Sequence, residues 1–185
     1  MIRYDDIEKI LTRFISKDSK VLEIGSNGLP GYLDEFPNLD ILRTNLIDLP
    51  GVEMIVDAQK PLPFPRSSFD LVFLVATDYY VENIEHMFSE INRVLVPGGH
   101  MVNATYKASN LKWQMANQSH AFHAKNWSDY KKIYDDLRLS AHYEIALNNE
   151  PTHPIKKIMW RCTPSCILRQ RSQWRVHICR KTEGL

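Results

Sequence analysis

The chain has 185 residues, 44% of them hydrophobic and 24% charged, with a formal net charge of +1. That length suffices for one domain with a buried core, and the composition is that of an ordinary globular protein. No apolar run approaches the roughly 20 residues that span a bilayer. The first residues mix acids among apolar positions, so we expect no secretory leader and a cytoplasmic location.

Residues 4–15 carry Ile7, Ile10, Leu11, Phe14 and Ile15 at helical spacing and predict an amphipathic helix. Val21, Leu22, Glu23 and Ile24 form a short β-favouring run that Gly25 ends. A short helix is expected over 32–36, stopped before Pro37. Residues 41–46 and 54–56 predict a second and a third strand, and Pro61, Pro63 and Pro65 then make a stiff connector. Residues 71–76 are nearly all apolar, as in a central parallel strand buried on both faces. Over 81–95, Ile84, Met87, Phe88, Ile91, Val94 and Leu95 draw one apolar helical face. Pro97, Gly98 and Gly99 predict a sharp turn into a strand over 100–106. Residues 110–124 predict a loop, and 127–139 a helix with Ser128 as its N-cap. Two last strands are expected at 141–147 and 174–179, with an insertion at 151–172 between them.

Strands alternating with helices imply a doubly covered, mostly parallel sheet in one α/β domain over 1–185. Ligands of such sheets bind beyond the carboxyl ends of the strands. That rule gathers residues 25–28, Asn45, Asp57 and residues 76–80 along one rim. Gly25 and Gly28 let the backbone pass close to a ligand, Asn45 suits ribose hydroxyls, and Asp57 suits an exocyclic amine such as adenine presents. Pro30 stands where a dinucleotide loop needs its third glycine, which argues against a nicotinamide or flavin site.

Charge is unevenly spread. Residues 151–185 carry a net +7 and the first 150 a net −6, so an anionic partner suits the C-terminal end. The three cysteines, Cys162, Cys166 and Cys179, are an odd set without zinc-module spacing, and no metal is expected.

Several motifs occur together. Phe69, Asp70 and Val72 precede a helix with Phe88, Glu90, Arg93, Val94 and Leu95, and Pro97, Gly98 and Gly99 follow. Upstream stand the run from Val21 to Gly28 and the segment Asp57, Ala58, Leu62, Pro63, Phe64. Over roughly 19–106 the chain resembles the class I S-adenosylmethionine-dependent methyltransferases, closest to the small type 11 group. The resemblance implies a Rossmann-like class I methyltransferase fold, with helices on both faces of the sheet and an antiparallel C-terminal strand. It also implies S-adenosylmethionine as cofactor, with Glu23, Gly25, Ser26, Asn27 and Gly28 at its methionine end. Asn45 would then face the ribose, Asp57 and Ala58 the adenine edge, and Ala76 would border the site. Asp78, Tyr79, Tyr80, His120 and His123 are the candidates for a catalytic base, and Asp70 is expected to be structural.

The expected reaction is methyl transfer to an O or N atom of a small-molecule, saccharide or lipid-precursor acceptor. Two other readings stand beside it. Asn27, Leu29 and Asn45 depart from the group's glycine and acid positions, which suits a non-catalytic binding or scaffold module. The basic C-terminal end suits an RNA methyltransferase, although nucleic acid is the less favoured partner.

Overall fold

The computed structural model describes residues 11–28, 33, 36, 38–106, 123, 125–147 and 174–182. The expected helix over 4–15, the short helix over 32–36, the loop over 110–124 and the insertion at 151–172 lie wholly or mostly outside them.

Among the described residues seven strands form one sheet in the order β3-β2-β1-β4-β5-β7-β6. They are β1 (Lys20–Ile24), β2 (Asp40–Asn45), β3 (Met54–Ile55), β4 (Phe69–Val75), β5 (Leu95–Tyr106), β6 (Leu139–Leu147) and β7 (Trp174–Lys181). Two helices, α1 (Ile84–Val94) and α2 (Trp127–Asp136), complete the description, with a short 3₁₀ turn at Asp78–Tyr80. β3 through β5 pair in parallel, whereas β7 runs antiparallel to both β5 and β6. The mostly parallel sheet and antiparallel C-terminal strand are as expected.

Two apolar layers sandwich the sheet, and β4 feeds both. Val72 and Leu74 join Ile84, Phe88 and Ile91 of α1 and Tyr130 and Tyr134 of α2. Leu71 and Phe73 point the other way, toward Leu11, Val102 and Ile178. Successive side chains of a strand alternate faces, so an unbroken apolar run is what a doubly covered strand requires. Asp70 begins this strand structurally, its Oδ2 accepting the Lys20 backbone N–H at 2.8 Å.

Three local expectations shift. α1 starts at Ile84 rather than 81, because the Asn83 side chain caps it by accepting the His86 N–H at 3.0 Å. α2 is capped at Asn126 rather than Ser128, with Asp129 Oδ2 accepting the Asn126 N–H at 3.0 Å. The Pro97–Gly99 turn lies within β5 instead of before it. Leu95 already pairs with Phe69, the ladder resumes at Leu71 and His100, and the residues between loop out with Gly98 at φ 77°.

Candidate active site

The carboxyl ends of β1, β2, β3 and β4 converge on a cleft of about 650 Å³. Gly25 comes from the exit of β1, Asn45, Leu46 and Ile47 from β2, and Val56, Asp57, Ala58 and Gln59 from β3. Ala76, Thr77, Tyr80, Val81 and Glu82 follow β4, and His123 closes the lining. Small-molecule sites fall in this size range and combine apolar walls with a few polar groups, as here.

Backbone bonds and one side chain hold the glycine loop. The N–H groups of Gly25 and Ser26 both donate to the Thr44 carbonyl at 2.9 Å. Asn45 Nδ2 donates to the Ser26 carbonyl, and Asn45 Oδ1 accepts the Ile47 N–H at 3.3 Å. The amide thus ties the β1 exit to β2, and its oxygen keeps one lone pair for a ligand. Both glycines are at positive φ, 76° at Gly25 and 68° at Gly28. A Cβ on Gly25 would collide with the Thr77 hydroxyl, and one on Gly28 with the Pro50 carbonyl. The close approach that Gly28 permits is therefore to the loop after β2.

The nine residues read as cofactor-binding fall into two sets. Gly25, Asn45, Asp57, Ala58 and Ala76 line the cleft. Glu23, Ser26, Asn27 and Gly28 are not among its lining residues: Glu23 faces Arg43 Nε at 3.4 Å, and Ser26 Oγ is 3.4 Å from the Gly28 nitrogen that donates to it. Asp57 Oδ1 accepts the Gln59 N–H at 3.0 Å. Gln59 Oε1 in turn accepts the Glu82 N–H at 3.2 Å, linking the loop after β3 to the segment after β4.

Arg93 and Glu90 fasten that loop from below. Arg93 donates to the Phe64 carbonyl at 2.8 Å, the Leu62 carbonyl at 2.9 Å and Glu90 Oε2 at 2.8 Å. Glu90 Oε2 also accepts the Leu62 N–H at 2.8 Å. One turn of α1 thereby satisfies both polar groups of Leu62, and the Arg93 hydrogen bond holds the Glu90 carboxyl below its ordinary range.

The base candidates separate sharply. Tyr80 is 47% exposed and lines the cleft, as does His123, whose backbone N–H donates to the Tyr79 carbonyl at 2.8 Å. Tyr79 is buried, and Asp78 is wholly so. Asp78 Oδ2 accepts from the Tyr130 hydroxyl and from Asn103 Nδ2, so its carboxyl points into the core beneath α2, away from the cleft. His120 lies outside the described residues. Gln59, Glu82 and the apolar Leu46 and Ile47 were missed in the sequence, whereas Thr77 lies within the 76–80 rim segment. The only signal for the missed residues was adjacency to Asn45, Ala58 and the helix start.

Ala76 is the strained element of the floor. It sits at φ 56°, the left-handed region, with its N–H bonded to the Ala104 carbonyl at 2.8 Å.

Residues 36–103 match the family described as a methyltransferase domain, a stretch that runs from the approach to β2 through most of β5. A phthiotriol/phenolphthiotriol dimycocerosates methyltransferase of Mycobacterium leprae is 36% identical over 62 residues, covering 34% of this chain and 23% of that protein. A counterpart in Mycobacterium ulcerans is 29% identical over 105 residues, covering 49% of this chain and 39% of its own length. The chain thus spans well under half the length of the curated relatives it matches. Among solved structures, the complex between the Haloferax volcanii Trm112 methyltransferase activator and its methyltransferase matches with a TM-score of 0.72. That match has 17% identity and covers 96% of this chain and 89% of the other. Geranyl diphosphate C-methyltransferase of Streptomyces coelicolor, solved with S-adenosyl-L-homocysteine, gives 0.71 at 15% identity, over 96% of this chain and 78% of the other. These likenesses show the fold, which is that of the class I methyltransferases.

Proposed function

We propose that this chain, which carries a methyltransferase domain on a class I methyltransferase fold, transfers a methyl group from S-adenosylmethionine to an O or N atom of an acceptor. The supporting observation is the cleft, where five of the nine residues read as cofactor-binding meet at the strand ends. Its donor set fits the cofactor. Leu46, Ile47, Val56, Ala58 and Val81 offer apolar walls to an adenine, Asp57 an acceptor for the exocyclic amine, and Asn45 an oxygen toward the ribose.

S-adenosylmethionine supplies, when bound, a methyl group on a cationic sulfur, and the acceptor–carbon bond forms as the carbon–sulfur bond breaks. Alignment and exclusion of water do most of the work in such a displacement. The Gly25 loop and the wall formed by residues 76–82 set that alignment. His123 and Tyr80 face the cleft, and His123 takes the acceptor's proton where a hydroxyl or protonated amine reacts. Asp78 has no part in that step, because its carboxyl faces Tyr130 and Asn103.

A lipid-precursor acceptor is favoured. The mycobacterial relatives act on phthiotriol-type lipids, and the Streptomyces enzyme is named for geranyl diphosphate. Among the described residues no helix is long and apolar enough to cross a membrane.

Calorimetric titration with S-adenosylmethionine and S-adenosylhomocysteine tests this reading. Micromolar binding that weakens at least tenfold in Asp57→Ala, a loss of about 1.4 kcal/mol, is expected. Folded protein that binds neither at millimolar ligand would favour the non-catalytic module, to which the Asn45–Ser26 bond already lends some support.

A further inference from the structure

Asp78 is wholly buried at the start of the 3₁₀ turn, and its carboxyl is only half satisfied. Oδ2 accepts two hydrogen bonds, from the Tyr130 hydroxyl and from Asn103 Nδ2 at 3.1 Å. Oδ1 has no partner among the described residues, and neither have Asn103 Oδ1 and Thr105 Oγ1. Asn103 and Thr105 are neighbours on one face of β5, and both are buried. An ionised carboxylate here leaves a bare, charged oxygen in the core beside a second bare acceptor, a costly arrangement. A proton on Oδ1 turns that acceptor into a donor beside Asn103 Oδ1, an acceptor that has none, whereas the Thr105 hydroxyl brings its own proton.

Among the described residues no Lys or Arg pairs with the carboxyl. α2 presents Tyr130, with Tyr134 behind it, and β5 presents Asn103 and Thr105. From β7 comes His177, whose ring lies 4.7 Å from that of Tyr130 and whose Nδ1 is 3.0 Å from the Tyr134 hydroxyl. The turn itself contributes the Tyr79 backbone. Lys125, next to the start of α2, is engaged with Glu85 at 3.2 Å. Burial accordingly pushes the carboxyl up from its ordinary range, the hydrogen bonds opposing.

Position gives this proton a consequence. Thr77, one residue before, packs against Gly25, while Tyr80, two residues after, lines the cleft. The Tyr79 carbonyl carries His123. We propose that Asp78 is a positioning residue for the cleft: protonated, it holds residues 76–82 against Tyr130 and Asn103, and loss of the proton releases that wall. The effect on ligand binding rests on the cofactor reading above, but the titration and the movement of the wall do not.

Hydrogen exchange of residues 76–82, corrected for the intrinsic pH dependence, tests the device without ligand. The carbon-13 signal of the Asp78 carboxyl is followed from pH 4 to 9 alongside it. The carboxyl is expected to keep its proton beyond the ordinary aspartate range, and protection of the wall to fall about tenfold per pH unit above that range until the carboxyl ionises. In Asp78→Asn, which keeps the shape and stays neutral, protection is expected to be flat with pH. A carboxyl that titrates within the ordinary aspartate range, or the same protection profile in both proteins, overturns the proposal. If the variant fails to fold, the wild-type signal and exchange decide by the same criteria. S-adenosylhomocysteine affinity measured over the same range should follow the exchange in the wild type. Absence of binding at every pH defeats the cofactor reading and leaves the exchange result to decide for Asp78.

Discussion

Two carboxylates hold opposite walls of the cleft, and they do so with opposite chemistry. Glu90 works as an anion, paired with Arg93 and fastening the segment around Leu62 that follows Asp57 and Ala58. Asp78 has only neutral partners, Tyr130 and Asn103, and anchors the segment after β4 from inside the core. The guanidinium lowers the Glu90 pKa, whereas burial raises that of Asp78. Without a counter-cation, burial favours the protonated form of an acid, and only hydrogen bonds donated to the anion oppose it.

Removing the cation breaks the first wall and gives the largest expected effect. Arg93→Ala leaves Glu90 without its cation, removes the guanidinium donor from the Phe64 carbonyl and leaves the Leu62 carbonyl with the Phe64 N–H alone, and should cost about 2–4 kcal/mol in urea unfolding. A loss below about 1 kcal/mol would mean that solvent replaces these bonds.

The pH dependence of stability separates the two acids by sign. With its pKa depressed when folded, Glu90 contributes stability above its ordinary value of 4.5, lost as the pH falls through the folded pKa. Asp78, raised from 3.8, acts in reverse. Its contribution is fully present below that value and fades as the pH rises toward the folded pKa. Asp78→Asn should therefore gain on the wild type as the pH rises above about 4, by up to about 1.4 kcal/mol per unit until the carboxyl ionises. Glu90→Gln should instead flatten the acid limb. Urea midpoints at several pH values distinguish these outcomes, and parallel curves for Asp78→Asn and the wild type would remove the contrast.

The smallest expected effect concerns strain in the Asp78 wall. Ala76 occupies left-handed backbone, so Ala76→Gly should stabilise the protein by about 0.5–1 kcal/mol. Unchanged or lower stability in thermal melts would show that the methyl group contributes packing that exceeds the strain.

The strands and α1 were readable from the chain because their signals are local. Alternation and the apolar run from Leu71 to Leu74 report burial within one segment, and helical spacing from Ile84 to Leu95 does the same. The rim was readable as well, since strand ends in a parallel sheet leave few places for Gly25, Asn45, Asp57 and Ala76 to go. Asp78 was not. It adjoins cleft residues in sequence, and only the packing of α2 over β4 and β5 turns its carboxyl inward toward Tyr130, 52 positions away. The Pro97–Gly99 turn misled for a similar reason, because its place inside β5 depends on the pairing of Leu95 with Phe69.

By itself, then, the sequence determined the α/β architecture, the methyltransferase resemblance and the rim on which a cofactor would lie. Periodicity and glycine placement act over a few residues and need no partner to be seen. The tertiary structure decided which polar groups face the cleft and which are consumed in building it. The Asn45 amide went to the glycine loop, the Glu90–Arg93 pair to Leu62, and the Asp78 carboxyl to the core. Each of those choices is made by donors or acceptors 19 to 52 residues distant, and no local pattern encodes such a pairing.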